Sequence, residues 1–252
     1  YKFGRTISSG KHSTVFEAQS EDGKVAIKSI IKTRVKERVE DIYQEIKLLQ
    51  YVKHPNIVRF VNWFETNVKY HIVTDLAKGG ELFERITDQG RVSEPDAQRA
   101  VRDILASVEY LHDHGIVHRH LDVHKFCYVT RAQGSRLILI SLAHADWEKI
   151  EERYIIPVEP DRSATRASAP EIMRRERSGK PADMWSIGVI AYMIIAGYSP
   201  FRSEAIHDLI EECTMGSIVF HERYWKDISD EAKDFIRWCL QPNPEDRLTI
   251  EV

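Results

Sequence analysis

The sequence predicts an α+β protein with two lobes: a small β-rich lobe with one helix, over residues 1 to about 77, and a larger, mostly helical lobe over about 78 to 252. Two observations predict this division. Short β-branched runs occur in the first third of the chain, and long apolar patterns with helical spacing dominate the rest. The segment 78–80 contains two glycines and is a natural joint between the lobes. A cleft between two lobes is a common place for a ligand, so we expect the functional site there.

The small lobe contains three predicted strands and one predicted helix. Residues 25–28 form a β-branched run after a turn-like segment, which is typical of a strand. Residues 57–64 and 70–76 predict two further strands. The charged stretch 38–52 has apolar residues at three- and four-residue steps, which predicts a helix with one buried face. Those apolar positions are Val39, Ile42, Ile46 and Leu49.

The large lobe begins with a well-defined predicted helix. Ser93 is a good N-cap residue, Pro95 suits the first turn, and Gly115 is a typical C-terminal stop. One apolar face follows this helix and consists of Ala97, Val101, Ile104, Leu105, Val108 and Leu111. Similar patterns predict further helices at 181–196, 205–215 and 230–240.

Charge and composition disfavour several classes of protein. The net charge is -3 and the pI is about 6.4, without the basic excess that is typical of nucleic-acid or membrane-surface binders. The longest apolar stretch, residues 184–197, is too short for a membrane span and indicates a buried helix. Three distant cysteines match neither a zinc site nor a disulfide framework, so a reducing compartment is expected. They are Cys127, Cys213 and Cys239.

A set of short motifs in a fixed order then identifies a family. The motifs are VAIK (25–28), Glu45 on the first helix, HPNIV (54–58), GGELF (79–83), HR (118–119), APE (169–171), DMWSIGVIAY (183–192) and Arg247. Together they resemble the eukaryotic protein kinase domain over almost the whole chain. The segments GGELFERI, AGYSPF and ISDEAKDFIRWCLQPNPEDRLT are most similar to the calcium/calmodulin-dependent kinase group. The resemblance implies one bilobal protein-kinase-like domain over 1–252, whose final helix, like any autoinhibitory or calmodulin-binding segment, would follow Val252.

The resemblance implies a first group of residues that hold the fold. Glu171 would pair with Arg247, and Asp183 would accept hydrogen bonds from the backbone of the loop 117–125. His118 would pack beneath the site. An apolar stack that links the lobes would consist of Leu49, Phe60, His118 and Leu142.

A second group would bind nucleotide. Lys28 would reach the α- and β-phosphates and would be positioned by Glu45, with a purely structural ion pair as the alternative. The family covers the phosphates with G-x-G-x-x-G-x-V, and Gly10 alone of these glycines is retained in the segment 8–15. The added side chains stiffen the loop and disfavour a close approach of its backbone to phosphates, so ATP is a possible ligand that would bind weakly or without metal. The residues expected around it are Ile7, Gly10, Val15, Ala26, Lys28, Glu45, Thr74, Asp75, Ala77 and Cys127.

A third group would perform the chemistry, and it departs from the family pattern. Phosphoryl transfer depends on positioning and on two Mg²⁺ ions that neutralise developing charge. Where the family holds these ions with an aspartate and an asparagine, this chain has Ser141 and Lys125, so no Mg²⁺ site is predicted. His120 replaces the base aspartate, and Asp122 replaces the lysine that steadies the phosphate. A charge contact at ~4 Å is on the order of 4 kcal/mol at an effective dielectric of about 20, so the Asp122 anion is expected to oppose the reaction.

Other parts of the site leave alternatives open. The family pattern G-T-x-x-Y is replaced by Ser163, Ala164 and Ala167, while Arg119, which binds an activation-segment phosphate in this family, is retained. The basic run 174–177 is interpreted as solvated surface, with a partner-binding patch as the alternative. Of five neighbouring histidines, His112 and His118 would be packing groups in this family, and the others are interpreted as solvated or hydrogen-bonded loop residues, with a zinc site or a general base at His120 as alternatives. They are His112, His114, His118, His120 and His124.

These observations predict a pseudokinase, which is a kinase-like domain that does not act as an enzyme. It would serve in the cytoplasm or nucleus as a scaffold or allosteric regulator of protein partners, such as an active kinase. Calmodulin would bind only through regions outside this chain, and neither nucleic acid nor membrane is expected as a partner. The alternative is an active serine/threonine kinase of the calmodulin-dependent group in which Asp146 or Glu148 replaces Ser141. A decaying gene product without function is a third interpretation.

Overall fold

The structure is a computed structural model that describes residues 1–89, 92–148, 165–176, 178–215 and 217–250. The strands are β1 (Lys2–Ser9), β2 (Ser13–Ser20), β3 (Gly23–Ile31), β4 (Phe60–Glu65), β5 (Lys69–Asp75), β6 (Ile116–Val117), β7 (Phe126–Tyr128), β8 (Leu137–Leu139) and β9 (Asp146–Trp147). The α-helices are α1 (Val39–Tyr51), α2 (Leu82–Gln89), α3 (Glu94–Asp113), α4 (Pro170–Met173), α5 (Lys180–Ala196), α6 (Ile206–Thr214), α7 (Glu222–Trp225) and α8 (Asp230–Cys239). The predicted division into a β-rich lobe and a helical lobe is confirmed.

The small lobe is built on one antiparallel sheet with the strand order β1-β2-β3-β5-β4. Successive side chains of a strand point to opposite faces of the sheet. Ile27 of β3 and Val73 of β5 therefore pack in a small apolar cluster on one face, whereas Ile30 and Ile72 belong to the main core on the other. Lys28 shares the face of Ile30, which directs it toward α1.

Helix α1 has the amphipathic character that its apolar spacing predicts, and it begins and ends within one residue of the predicted bounds. Its buried residues are Ile42, Glu45, Ile46, Leu48 and Leu49. Glu45 is the charged member of this buried face, so it needs a partner inside the protein.

The predicted strand at 57–64 is wrong at its first half, because β4 begins only at Phe60. Residues 56–58 instead pair with strand β8 of the large lobe. Ile57 forms a parallel bridge with Leu139, and the Asn56 side chain donates to the carbonyl of Leu137 at 2.9 Å. This segment thus connects the lobes instead of extending the small-lobe sheet.

Two helices form the centre of the large lobe. Helix α3 begins where the sequence predicts, with the Ser93 hydroxyl accepting a hydrogen bond from the backbone N–H of Asp96. Helix α5 is buried along nearly its whole length. At Gly188 a Cβ atom would lie 2.6 Å from the Cβ of Cys239, so a glycine is required where α5 meets α8.

Two short ribbons position the loops of the cleft. β6 pairs with β9, and β7 pairs with β8. The loop 118–125 is thereby held between β6 and β7, next to the segment 140–145 between β8 and β9. Ribbons of two or three residues are too short to show a sequence period, so the sequence did not predict them.

Among the residues that the structure describes, no helix is both long enough and apolar enough to cross a membrane.

A buried ion pair ties the segment around α4 to the end of the chain. The Arg247 guanidinium donates to both carboxylate oxygens of Glu171, at 2.7 and 3.1 Å. Their side chains are 0% and 5% exposed. Arg247 also donates to the carbonyls of Gln241 and Pro181.

Replacing Arg247 with leucine is expected to destabilise the domain by about 3–5 kcal/mol, because the substitution leaves Glu171 buried without its partner. The measurement is the free energy of unfolding in urea. Arg59→Leu is the matched control, since Arg59 binds Asp75 with the same two-oxygen geometry on the surface, and its loss is expected to cost less than about 1 kcal/mol. Equal losses in the two variants would contradict the prediction.

Candidate functional site

A buried carboxylate on α5 sets the shape of the loop 118–125. Asp183 accepts hydrogen bonds from the backbone N–H groups of His118 at 2.8 Å and Arg119 at 2.7 Å, and from the His112 ring at 2.9 Å. Burial alone would raise the pKa of Asp183, but these hydrogen bonds and the nearby histidines bring it below its ordinary value. The carboxylate therefore stays charged and holds Arg119 at φ 67°, a left-handed conformation that is unfavourable for a residue with a side chain.

His118 connects this loop to the segment that contains Ser141. Its Nδ1 accepts from the backbone N–H of His120 at 3.3 Å, and its Nε2 lies 2.9 Å from the carbonyl of Ser141. Because a backbone N–H can only donate, the ring proton lies on Nε2 and the imidazole is neutral. Burial lowers the pKa of His118, which is consistent with this state.

Lys28 and Glu45 form an ion pair between β3 and α1. The Lys28 ammonium lies 2.8 and 2.7 Å from the two oxygens of Glu45. The Glu45 side chain is 5% exposed and the Lys28 side chain 25%. Ser141 joins this pair, since its hydroxyl donates to Glu45 Oε1 at 3.3 Å and accepts from the backbone N–H of Ala143 at 3.3 Å. The Ser141 oxygen is therefore a neutral group engaged with protein.

Asp122 and Lys125 form an ion pair with each other. Asp122 Oδ1 caps the short turn that follows it by accepting from the backbone N–H of His124 at 2.6 Å, and Asp122 Oδ2 lies 3.6 Å from the Lys125 ammonium. Both side chains are largely buried, at 9% and 25% exposure. The sequence argument treated Asp122 as an isolated anion, and the ion pair corrects this, because a cation lies 3.6 Å from its carboxylate.

A pair of histidines joins the loop 118–125 to the segment 140–145. The rings of His120 and His144 lie with their centroids 4.4 Å apart. Burial lowers the pKa of His144 to about 2, helped by the nearby His120 and Lys125. Sequence reasoning did not select His144, although it follows directly after the segment 141–143. Within the described part of the chain, no group of histidines, cysteines and carboxylates has the arrangement of a metal site.

The residues predicted to surround an adenine lie on adjoining strands. Val15 pairs with Lys28 between β2 and β3, and Ala26 pairs with Thr74 between β3 and β5. Cys127 lies on β7, where burial raises the pKa of its thiol to about 12 and keeps it neutral. Asp75 ends β5, with its N–H bound to the carbonyl of Arg59 at 3.0 Å and its carboxylate bound to the Arg59 guanidinium. Ala77 follows in the linker, and Ile7 is exposed on β1.

The loop around Gly10 is a tight turn between β1 and β2, and it is anchored to the small lobe. Gly10 N–H donates to the carbonyl of Ser13 at 2.8 Å. The backbone N–H of Ile31 donates to the carbonyl of His12 at 3.2 Å. The Arg34 guanidinium donates to the carbonyl of Lys11 at 2.9 Å. These bonds hold the loop against its own sheet.

Of the two acids proposed as replacements for Ser141, Asp146 has other partners, and Glu148 lies near the start of α5. Asp146 accepts from the Gln44 side chain of α1 at 2.8 Å and pairs with Arg119 at 3.5 Å. A Cβ atom at Gly179 would lie 3.6 Å from Glu148 Oε1, so Glu148 faces the start of α5. Asp146 therefore joins α1 to the loop 118–125.

Three residues of the substrate-side segment and the basic run lie outside the described residues. They are Ser163, Ala164 and Arg177. Ala167 is buried, and its carbonyl accepts from the Ser186 hydroxyl at 2.8 Å. Arg174, at the start of the basic run, donates to the hydroxyl of Thr214.

The whole chain, residues 1–252, matches the family model described as the protein kinase domain. The chain belongs to the protein kinase domain family. The resemblance and the bilobal fold that it implied are thus confirmed.

Several curated relatives are similar over the full length of this kinase domain. One is a calcium/calmodulin-dependent protein kinase of Metarhizium anisopliae, 48% identical over 99% of this chain and 64% of the relative. Another is calcium/calmodulin-dependent protein kinase cmkA of Emericella nidulans, 46% identical over 100% of this chain and 60% of the relative. A third is calcium/calmodulin-dependent protein kinase type I of Schizosaccharomyces pombe, 36% identical over 99% of this chain and 75% of the relative. The chain thus spans less than two thirds of the length of the first two relatives.

Stability is expected to fall as the pH drops below about 6.5, because His144 is held neutral in the folded protein and binds a proton when the chain unfolds. With a pKa lowered from 6.5 to about 2, the unfolded state binds more protons throughout that interval. His144 alone is expected to remove about 2 kcal/mol of stability between pH 7 and pH 5. Urea unfolding of the unchanged protein and of His144→Gln at both pH values measures this. The same loss in both proteins would contradict the assignment.

Proposed function

We propose that this domain is a serine/threonine kinase-like domain of the calmodulin-dependent group with impaired phosphoryl transfer, which acts by binding and conformation. The observation that carries the proposal is the pair of residues at the metal-holding positions, Ser141 and Lys125. The Ser141 hydroxyl is bound to Glu45, and the Lys125 ammonium is bound to Asp122. The polar groups at both positions thus have partners within the protein.

The residues present do not fit Mg²⁺. This ion prefers hard anionic oxygens in octahedral geometry. Ser141 offers a neutral oxygen that is already hydrogen-bonded, and the Lys125 cation would repel a metal. Without metal ions, the charge that develops on a transferring phosphate lacks its main counterion.

ATP remains a candidate ligand, bound weakly or without metal. Lys28 would hold its phosphates, and the strands that carry Val15 and Ala26 would cover the adenine. The ion pair of Lys28 with Glu45 places the ammonium in the cleft with a quarter of its side chain exposed. The anchored loop around Gly10 limits how closely backbone can approach the phosphates.

Protein partners, including an active kinase, are proposed for the domain, in the cytoplasm or nucleus. The relatives' names state that they are calcium/calmodulin-dependent. Calmodulin is accordingly proposed as a partner of the longer protein, through regions outside residues 1–252.

The second candidate function is an active kinase of the same group with unorthodox catalytic residues. The names of the relatives favour it, since they are all those of protein kinases. It needs an acidic group that replaces Ser141. The contacts of Asp146 with Gln44 and Arg119 favour the first proposal, because they draw this carboxylate to α1 and the loop.

ATP is expected to raise the melting temperature of the domain equally with Mg²⁺, with Mn²⁺ and with EDTA, because a ligand of the folded state stabilises it by mass action. Lys28→Ala is expected to remove the shift. The same preparations are expected to transfer no phosphate from labelled ATP to a generic serine/threonine peptide. Phosphorylation that needs metal and disappears in Lys28→Ala would establish the second candidate instead.

Restoring the metal-holding groups is expected to make nucleotide binding depend on metal. The variant is Ser141→Asp with Asp122→Lys and Lys125→Asn, since it supplies an anionic oxygen and removes both members of the ion pair. Its thermal shift with ATP is expected to be larger with Mg²⁺ than with EDTA. The matched control carries Asp122→Lys and Lys125→Asn alone, and it is expected to show no such difference. A metal effect of equal size in the control would show that Ser141 is not the missing ligand.

A further inference from the structure

A concentration of positive charge lies outside the cleft. Two cavities flank the β7–β8 ribbon, with volumes of about 610 and 830 Å³. Arg136 lines both cavities, so they adjoin each other, and together we call them the basic groove. Lys28, Ser141 and Lys125 line neither of them.

The first cavity, between α3 and the turn after β7, is lined by five arginines and two aspartates. Asp96 pairs with Arg99, and Asp103 accepts from the backbone N–H of Leu137 at 2.8 Å. The cavity therefore carries an excess of positive charge. The arginines are Arg85, Arg99, Arg102, Arg131 and Arg136.

The second cavity lies behind the linker between the lobes and has a similar excess of positive charge. It is lined by Lys24, Lys53, Arg59, Lys78 and Arg136. Asp75 is the carboxylate among its lining residues, and Arg59 binds both of its oxygens, at 2.8 and 2.6 Å.

Several of these cations have no anionic partner inside the protein. Within the residues that the structure describes, no carboxylate pairs with Lys53, Lys78, Arg102, Arg131 or Arg136. All five side chains belong to exposed residues.

The first cavity also offers an apolar wall and an oriented cation. The Arg85 guanidinium lies 3.7 Å from the ring centroid of Tyr128. A guanidinium stacked on an aromatic ring keeps its N–H donors directed outward in a fixed plane, which suits a carboxylate. Val92 and Ala100 add apolar surface for the rest of a peptide.

We propose that the basic groove binds an acidic segment of a partner protein, with aspartate or glutamate carboxylates spaced along an extended chain. The planar guanidinium of arginine carries paired N–H donors that match the two oxygens of a carboxylate in geometry and charge. The cations are spread over two adjoining cavities, which fits a row of separate carboxylates better than one phosphate group. Because the chain has a net charge of -3, its surface outside this basic groove is negative on balance, so a short acidic segment can stay within the groove whereas a long polyanion such as nucleic acid would extend over negative surface. This inference does not rest on the proposed function, because it concerns a surface outside the cleft.

The test uses the intact domain and the fluorescence anisotropy of a labelled peptide of alternating glutamate and serine. This peptide is expected to bind, more weakly as salt is added, and the same peptide with glutamine in place of glutamate is expected not to bind. Arg102→Gln with Arg136→Gln is expected to weaken binding by about tenfold or more, because hydrogen bonds to charged groups are lost. Both positions are exposed, so the variant is expected to fold.

The matched control is Lys36→Gln with Lys226→Gln, which removes the same charge from exposed positions outside the groove. Its affinity is expected to stay within about twofold of the unchanged domain. The proposal is overturned if the glutamate peptide does not bind, or if both double variants lose affinity equally. It is also overturned if a peptide with a single phosphoserine, or a short single-stranded DNA, binds more tightly than the glutamate peptide.

Discussion

The cleft depends on the three hydrogen bonds that the buried Asp183 carboxylate accepts. Two come from consecutive backbone N–H groups, at His118 and Arg119, and they hold Arg119 in its left-handed conformation. From this loop, His118 reaches the backbone carbonyl of Ser141 and Arg119 reaches Asp146. None of these contacts uses the side chains at positions 120, 125 or 141. The architecture of a kinase site can therefore persist while its chemical groups are replaced.

The replaced groups neutralise one another. A buried Asp122 without a cation would destabilise the fold, and so would a buried Lys125 without an anion. Because the two lie three residues apart around one turn, each supplies the partner of the other. The hydroxyl of Ser141 likewise adds a hydrogen bond to the pair of Lys28 and Glu45. The polar groups at positions 122, 125 and 141 thus all have partners within the protein.

The sequence predicted the structure best where an apolar pattern extends over several helical turns or where a motif spans only a few residues. The apolar spacing of α1 and α3, and the cap at Ser93, predicted these helices to within one or two residues. The family motifs predicted the pairing of Lys28 with Glu45 and of Glu171 with Arg247. The pairing of Asp122 with Lys125 was missed, although opposite charges three residues apart were a visible signal. His144 and the contact of Gln44 with Asp146 had no local signal, because they depend on how the short ribbons place distant segments side by side.

The contacts of α1 bear on how such a domain would influence a partner. Glu45 is bound by Lys28 and Ser141, and Gln44 is bound by Asp146, which in turn holds Arg119. These four contacts link α1 to the loop 118–125 and to the segment that contains Ser141. A ligand shifts a conformational equilibrium only as far as it prefers one state. In the proposed function, a nucleotide held by Lys28 would therefore displace α1 only as far as it changed the pairing of Lys28 with Glu45.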